Sequence, residues 1–210
     1  MDIETQWTHI ESERRSLGEL LDGLAPEQWE APSLCTQWRV RDVAAHLTMT
    51  TCGMPTLGAT LGGLVRARGR LWDFGRDVAV DWAARPTAEI ACTLRERASS
   101  RSLPAVALAR NVLLDVVIHG QDITIPLGIE RPVPTEAGLA VFERVWSMGW
   151  PFHARRRLGG CTLRATDADL SVGRGPSISG PLAALILLAS GRDAAALARL
   201  DGPGVDLVRA

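Results

Sequence analysis

One segment constrains the fold more than any other: residues 105–123, AVALARNVLLDVVIHGQDI, contain no proline and no glycine before Gly120. If each residue advances about 100° around a helix, Asn111, Asp115, His119 and Asp122 fall within an arc of about 80°. The rest of the circumference holds Val112, Leu113, Leu114, Val116, Val117, Ile118 and Ile123. A surface helix shows water a polar face near half its girth, so this pattern predicts a buried helix whose narrow polar stripe lines an internal site. The plainer reading is a bundle helix with crowded neighbours and a thin solvent face. Periodicity alone favours that reading slightly, and the functional one needs a ligand from elsewhere.

A second segment supplies the candidate. In RVRDVAAHL, Asp42 and His46 stand four residues apart among Val43, Ala44, Ala45 and Leu47, so two helices each carry Asp-x-x-x-His. Asp115 and His119 can chelate one ion from a single helix, and His46 from a facing helix completes a set of two histidines and one carboxylate. Such a set leaves coordination positions open. Asp42 reads first as a helix N-terminal carboxylate favoured by the macrodipole and second as an outer partner of the site, the latter a role shared with Asp122, Gln121 and Asn111. A single histidine in an apolar segment is more often a core residue, so His46 gains weight only beside the other two. His9 and the His153 that precedes Arg155-Arg156-Arg157 read as surface residues, and Cys52, six residues past His46, points to another helix face.

The surrounding pattern predicts a mainly α protein. Trp7, Ile10, Leu17, Leu20, Leu21 and Leu24 mark a first amphipathic helix. A second runs from about Val40 into the fifties, a third through Leu64 to Ala84, Pro86-Thr87 opens a short one, and Pro104 starts the helix already described. Several long helices with modest loops and no alternating strands predict an antiparallel bundle over residues 1–130. Prolines at 126, 132 and 134 mark the boundary, after which Thr135 and Glu136 begin a helix reaching Met148. Cys161–Thr166 and Leu170–Val172 read as short strands, and Gly180-Pro181 introduces the apolar helix LAALILLAS, stopped by Gly191. Residues 131–210 therefore form a small α+β domain.

Composition removes several classes of function. The chain has 210 residues, 46% hydrophobic and 22% charged, enough to bury a core. Its 23 basic and 24 acidic side chains leave a formal charge of −1, so nothing in the balance calls for nucleic acid or an anionic membrane. Every basic residue is Arg, which excludes a Lys Schiff base and a phosphate-loop lysine, and Tyr is absent. GATLGG at 58–63 lacks the spacing of a phosphate loop, and no Ser stands in a G-x-S-x-G context. The uncharged stretch Val43–Val65 contains His46, Pro55 and four glycines and is read as no membrane span. Cys35, Cys52, Cys92 and Cys161 form no C-x-x-C pair and the N-terminus has no signal-peptide order, which predicts a reduced, cytoplasmic protein.

These residues carry a resemblance. Trp38-x-Val40-x-Asp42-x-x-x-His46-Leu47, followed by Asp115-x-x-x-His119-Gly120-Gln121-Asp122-Ile123, resembles the mycothiol-dependent maleylpyruvate isomerase family of actinobacteria, within the DinB/YfiT-like metalloenzyme superfamily. LRATDADLSVG and GPLAALILLASGR resemble that family's small C-terminal domain. The resemblance implies a DinB-like four-helix bundle holding a divalent metal, usually zinc, on His46, His119 and Asp115. It further implies mycothiol as thiol cosubstrate and a small electrophilic substrate, with isomerase or S-transferase chemistry through a metal-stabilised thiolate. In the isomerase the acidic ligand is Glu, and Asp115 is one methylene shorter. That departure leaves open a site that still binds its ion, one that takes another metal, and a degraded site on a non-catalytic sensor or small-ligand-binding protein.

Overall fold

The computed structural model describes residues 1–52, 80–102 and 108–209. The expected start of a helix at Pro104, the stretch 53–65, GATLGG and most of the helix expected through Leu64 lie outside them, as does the side chain of Cys52. The end of that last helix, residues 80–83, is helical. The chain divides into two compact units, Trp7–Ile129 and a second made of Glu130–Ala210 with Met1–Gln6.

In the first unit, α1 (Ile3–Asp22) buries Trp7, Ile10, Leu17 and Leu21, the stripe expected from its three and four residue steps. Glu13 and Arg14 are buried on the same helix. Pro26, whose missing N–H costs nothing in a first turn, opens the short α2 (Pro26–Glu30), which buries Trp29. Helix α3 (Val40–Cys52) buries Val40, Val43, Ala44, Ala45 and Leu47, and α4 (Thr87–Glu96) buries Ile90, Ala91 and Leu94. Gly18 lets α1 close on α4, since a Cβ there would stand 3.0 Å from Arg95 Cβ.

Helix α5 (Ala109–Thr124) is buried on nearly every side, from Val112 to Thr124. It continues through Gly120 for another turn, and the Thr124 hydroxyl donates to the Gly120 carbonyl at 2.9 Å. A helix greasy around most of its girth must be surrounded, and α3 packs directly against it, with α4 on α3. The facing of α3 and α5 is what positions the site.

The second unit is α+β. Helix α6 (Thr135–Ser147) is followed by α7 (Ala154–Leu158), then β1 (Thr162–Ala165), β2 (Ser171–Gly173) and β3 (Ser177–Gly180), and then α8 (Leu182–Ala189), α9 (Asp193–Leu197) and α10 (Val205–Arg209). The strand order is β2-β1-β3, with β1 antiparallel to β2 and parallel to β3. Leu163 opposite Ile178 places two fully buried side chains on one face. Against them lies the apolar α8, which also packs on α6. The Arg157 guanidinium donates to Asp193 at 2.8 Å, tying α7 to α9, while Arg155 and Arg156 are exposed. That triple therefore divides into one structural ion pair and two solvated charges.

Candidate metal centre

Helices α3 and α5 bring His46, Asp115 and His119 together. Asp115 and His119 share a face because they stand four apart on α5, and His46 projects from the opposite helix beside a wall of buried alanines and valines. His46 Nε2 lies 3.6 Å from Asp115 Oδ2, and His119 Nε2 lies 4.0 Å from Asp115 Oδ1. The two imidazole rings meet edge to face at 5.1 Å between centroids. One ligand atom from each of the three residues lies within 4.8 Å of the others, a spacing that a single cation could span. Each is partly open, with side-chain exposures of 26%, 34% and 15% for His46, Asp115 and His119. Solvent, or a ligand arriving from it, therefore reaches the cluster. Despite its shorter side chain, Asp115 reaches toward both imidazoles with different oxygens.

A second layer fixes the histidines. His119 Nδ1 lies 2.8 Å from Asp122 Oδ2, and the Asp122 side chain is fully buried. A buried carboxylate calls for donors, and the Nδ1–H tautomer of His119 would supply one while leaving Nε2 free for a ligand. Cys35, which the sequence did not single out, donates its thiol proton to the same Asp122 oxygen at 3.1 Å and lies 3.6 Å from His119 Nδ1. Trp38 meets the His46 ring edge-on at 5.5 Å.

Arg14 was also missed. Its guanidinium is buried and donates to the carbonyls of Ser100 and Ala98 at 2.8 and 3.3 Å and to the Thr50 hydroxyl at 3.2 Å. Burial pushes it down to about 10, while the charge of Asp115 works in the opposite direction. Arg14 is therefore cationic at neutral pH and feels the carboxylate of the site.

The other expected partners divide. Asp42 is buried, but its carboxylate takes the Arg39 backbone N–H at 2.8 Å and the Arg39 guanidinium at 2.9 and 3.0 Å. It closes the start of α3, the first of its two sequence readings, and its carboxylate raises the Arg39 guanidinium further. Gln121 is buried and Asn111 half-buried on α5, both engaged in interactions of their own. Cys35, His119 and Asp122 form a second group whose ligand atoms lie within 4.8 Å of one another, sharing His119 with the first, and His9 and His153 belong to neither group among the described residues.

Residues 10–91 match the family model of the mycothiol maleylpyruvate isomerase N-terminal domain. That segment of the chain is similar to the family's N-terminal domain. The matched segment contains Trp38 and His46 and ends before α5, so Asp115 and His119 join the site through the fold. A crystal structure of the mycothiol-dependent maleylpyruvate isomerase superposes with a TM-score of 0.63 at 14% identity, covering 97% of this chain and 93% of the other. That of a histidine-to-alanine mutant of the isomerase gives 0.61 at 13% identity with the same coverage. At such identity the likeness is one of fold, and the DinB-like helical bundle with its small α+β unit is the architecture expected from the sequence. No curated protein sequence matches the chain. No helix among the described residues is long and apolar enough to cross a membrane.

Proposed function

We propose that this chain is a divalent-metal enzyme, zinc being the ion expected, that uses mycothiol or a similar low-molecular-weight thiol on a small electrophilic substrate, as an isomerase or an S-transferase. The observation that carries the reading is the cluster of His46, Asp115 and His119. Its donor set suits the ion: two imidazole nitrogens and one carboxylate of borderline hardness, few enough to leave positions for a ligand from solvent. The shell supports the same use, because the bond to Asp122 leaves His119 Nε2 as the available nitrogen.

A cation held there would lower the pKa of a thiol that binds it and so supply a nucleophile at neutral pH. The residues of the chain do the rest. His46 and His119 offer neutral nitrogens from opposite helices, Asp115 contributes the negative charge, and Trp38 and the buried face of α3 restrict how His46 can turn. Cys35, Cys92 and Cys161 stand as thiols, compatible with the reduced cytoplasm in which such a cosubstrate would be held.

The test is metal content. The purified protein should hold near-stoichiometric metal, and a His46→Ala, His119→Ala double variant should lose it. Consumption of mycothiol with a panel of electrophiles should then depend on both histidines. Equal, negligible metal in the two proteins would favour a non-catalytic small-ligand binder on the same bundle, and turnover that survives loss of both histidines would defeat the mechanism.

A further inference from the structure

The loop between α2 and α3 touches both histidines, and its sequence, PSLCTQWR, is tied down at several points. Pro32 and Arg39 pair as an antiparallel bridge, the Ser33 N–H donates to the Trp38 carbonyl at 2.9 Å, and the Cys35 N–H donates to the Ser33 hydroxyl at 3.1 Å. Gln37 takes a left-handed φ of 68°, which turns the chain so that the Trp38 N–H returns to the Cys35 carbonyl at 3.0 Å. The loop is then fastened to α5 at one residue, since the Leu34 N–H donates to the Asp122 carbonyl at 3.0 Å while the Cys35 thiol donates to the Asp122 side chain. Backbone and side chain of Asp122 are thus both held from this loop.

We propose that Cys35 is a positioning residue: its thiol, donating to Asp122 Oδ2, holds that carboxylate against His119 Nδ1 and so presents Nε2 of His119 to the Asp115 and His46 side of the site. The physical reason is the burial of Asp122. A carboxylate shut away from water cannot exchange a lost protein donor for a solvent one, so its orientation depends on the donors around it. His119 and Cys35 share one of its oxygens, and the half-buried Cys35 covers it from the loop side. Loss of the thiol would loosen the oxygen that fixes the His119 tautomer.

The metal-affinity arm of this inference rests on the function proposed above; its tautomer arm does not. In the metal-free protein, imidazole nitrogen NMR should show His119 as a single Nδ1–H tautomer in the wild type and in Cys35→Ser, whose hydroxyl can still donate. Cys35→Ala and the near-isosteric Cys35→Val should show mixed tautomers and, with a donor to a buried carboxylate removed, a lowered melting temperature, both restored in Cys35→Ser. With zinc, competition against a chromophoric chelator should give an affinity about tenfold weaker for Cys35→Ala and Cys35→Val, restored in Cys35→Ser. The cobalt(II)-loaded wild type should lack a sulfur-to-metal charge-transfer band. Identical tautomers and affinities in all four proteins would overturn the proposal, as would a cobalt–sulfur band lost in Cys35→Ser, which would make Cys35 a ligand. A wild type that binds no metal but shows the tautomer change would sink the metal reading and leave the role of Cys35 standing.

Discussion

His119 and Asp122 stand three residues apart on α5, and the 2.8 Å between Nδ1 and Oδ2 makes the buried carboxylate the partner of the outward-facing imidazole. The i, i+3 spacing places the two on one helix face without help from any other element. Asp122→Asn keeps the volume and removes the charge, and its amide can bond to either tautomer of the ring. Zinc affinity should fall by about 10 to 100-fold, the usual effect of removing such an outer partner. Isothermal titration of the metal-free variant would measure it, and an unchanged affinity would show that Asp122 only fills space.

Asp115 contributes the negative charge among the three proposed ligands. Because its two oxygens face different histidines at 3.6 and 4.0 Å, the shorter side chain already reaches both. Asp115→Asn should therefore lower metal affinity by more than about tenfold through loss of charge. Asp115→Glu, one methylene longer, should keep an ion bound. Metal analysis after dialysis decides between them: if the glutamate variant is empty while the wild type is loaded, the pocket is fitted to Asp.

Much of this was legible because helical burial leaves a periodic trace. The run Val112 to Ile123 allowed a surrounded helix beside the slightly favoured reading of a thin solvent face, and the four polar positions that break its apolar girth include two of the three proposed ligands. The loop residues left no such trace. Cys35 acquires its position from bonds that close PSLCTQWR on itself, and spacing in sequence does not reveal which end of a loop meets a helix. Strand β3, Ser-Ile-Ser-Gly, was missed because three of its four residues are small and only Ile178 favours a strand. It persists through its parallel pairing with β1 and the close approach at Gly180, where a Cβ would stand 2.6 Å from the Arg199 carbonyl oxygen. Arg14 was discoverable: it falls between Ile10 and Leu17 at the same four and three residue steps as the apolar stripe, so a charge was being carried into the core.

Arg14 should show its two roles as opposite effects of one substitution. Arg14→Met fills much of the space but removes the donors to Ala98, Ser100 and Thr50, leaving buried acceptors unmet, which should cost about 2 to 4 kcal/mol. The same change deletes a positive charge that acts on Asp115. A cation at the site would then meet less repulsion, so metal affinity should rise a few-fold in whatever fraction is folded. Calorimetric melting with and without zinc separates the two: a lower melting temperature in the metal-free variant with a larger zinc-induced increment is expected. A smaller increment than in the wild type would contradict the electrostatic argument.

Acid should reveal the entrance to α3. Glu30 bonds Arg41 at 2.6 Å and Arg39 at 2.7 Å, and the Arg41 bond foremost, with that of Arg39, holds its carboxyl below the usual glutamate range. With the folded pKa below the unfolded one, the unfolded chain binds more protons in the interval between them. The contribution is therefore complete above the ordinary glutamate pKa of about 4.3 and is lost as the pH falls through the lower folded value. Nearly half of the side chain is exposed, so solvent screening limits the pair of bonds to about 0.5 kcal/mol. Glu30→Gln should melt slightly below the wild type at neutral pH, and the two curves should converge as the pH drops below 4. Melting curves that stay separated by the same amount into strong acid would show that the carboxylate charge is not what stabilises this corner.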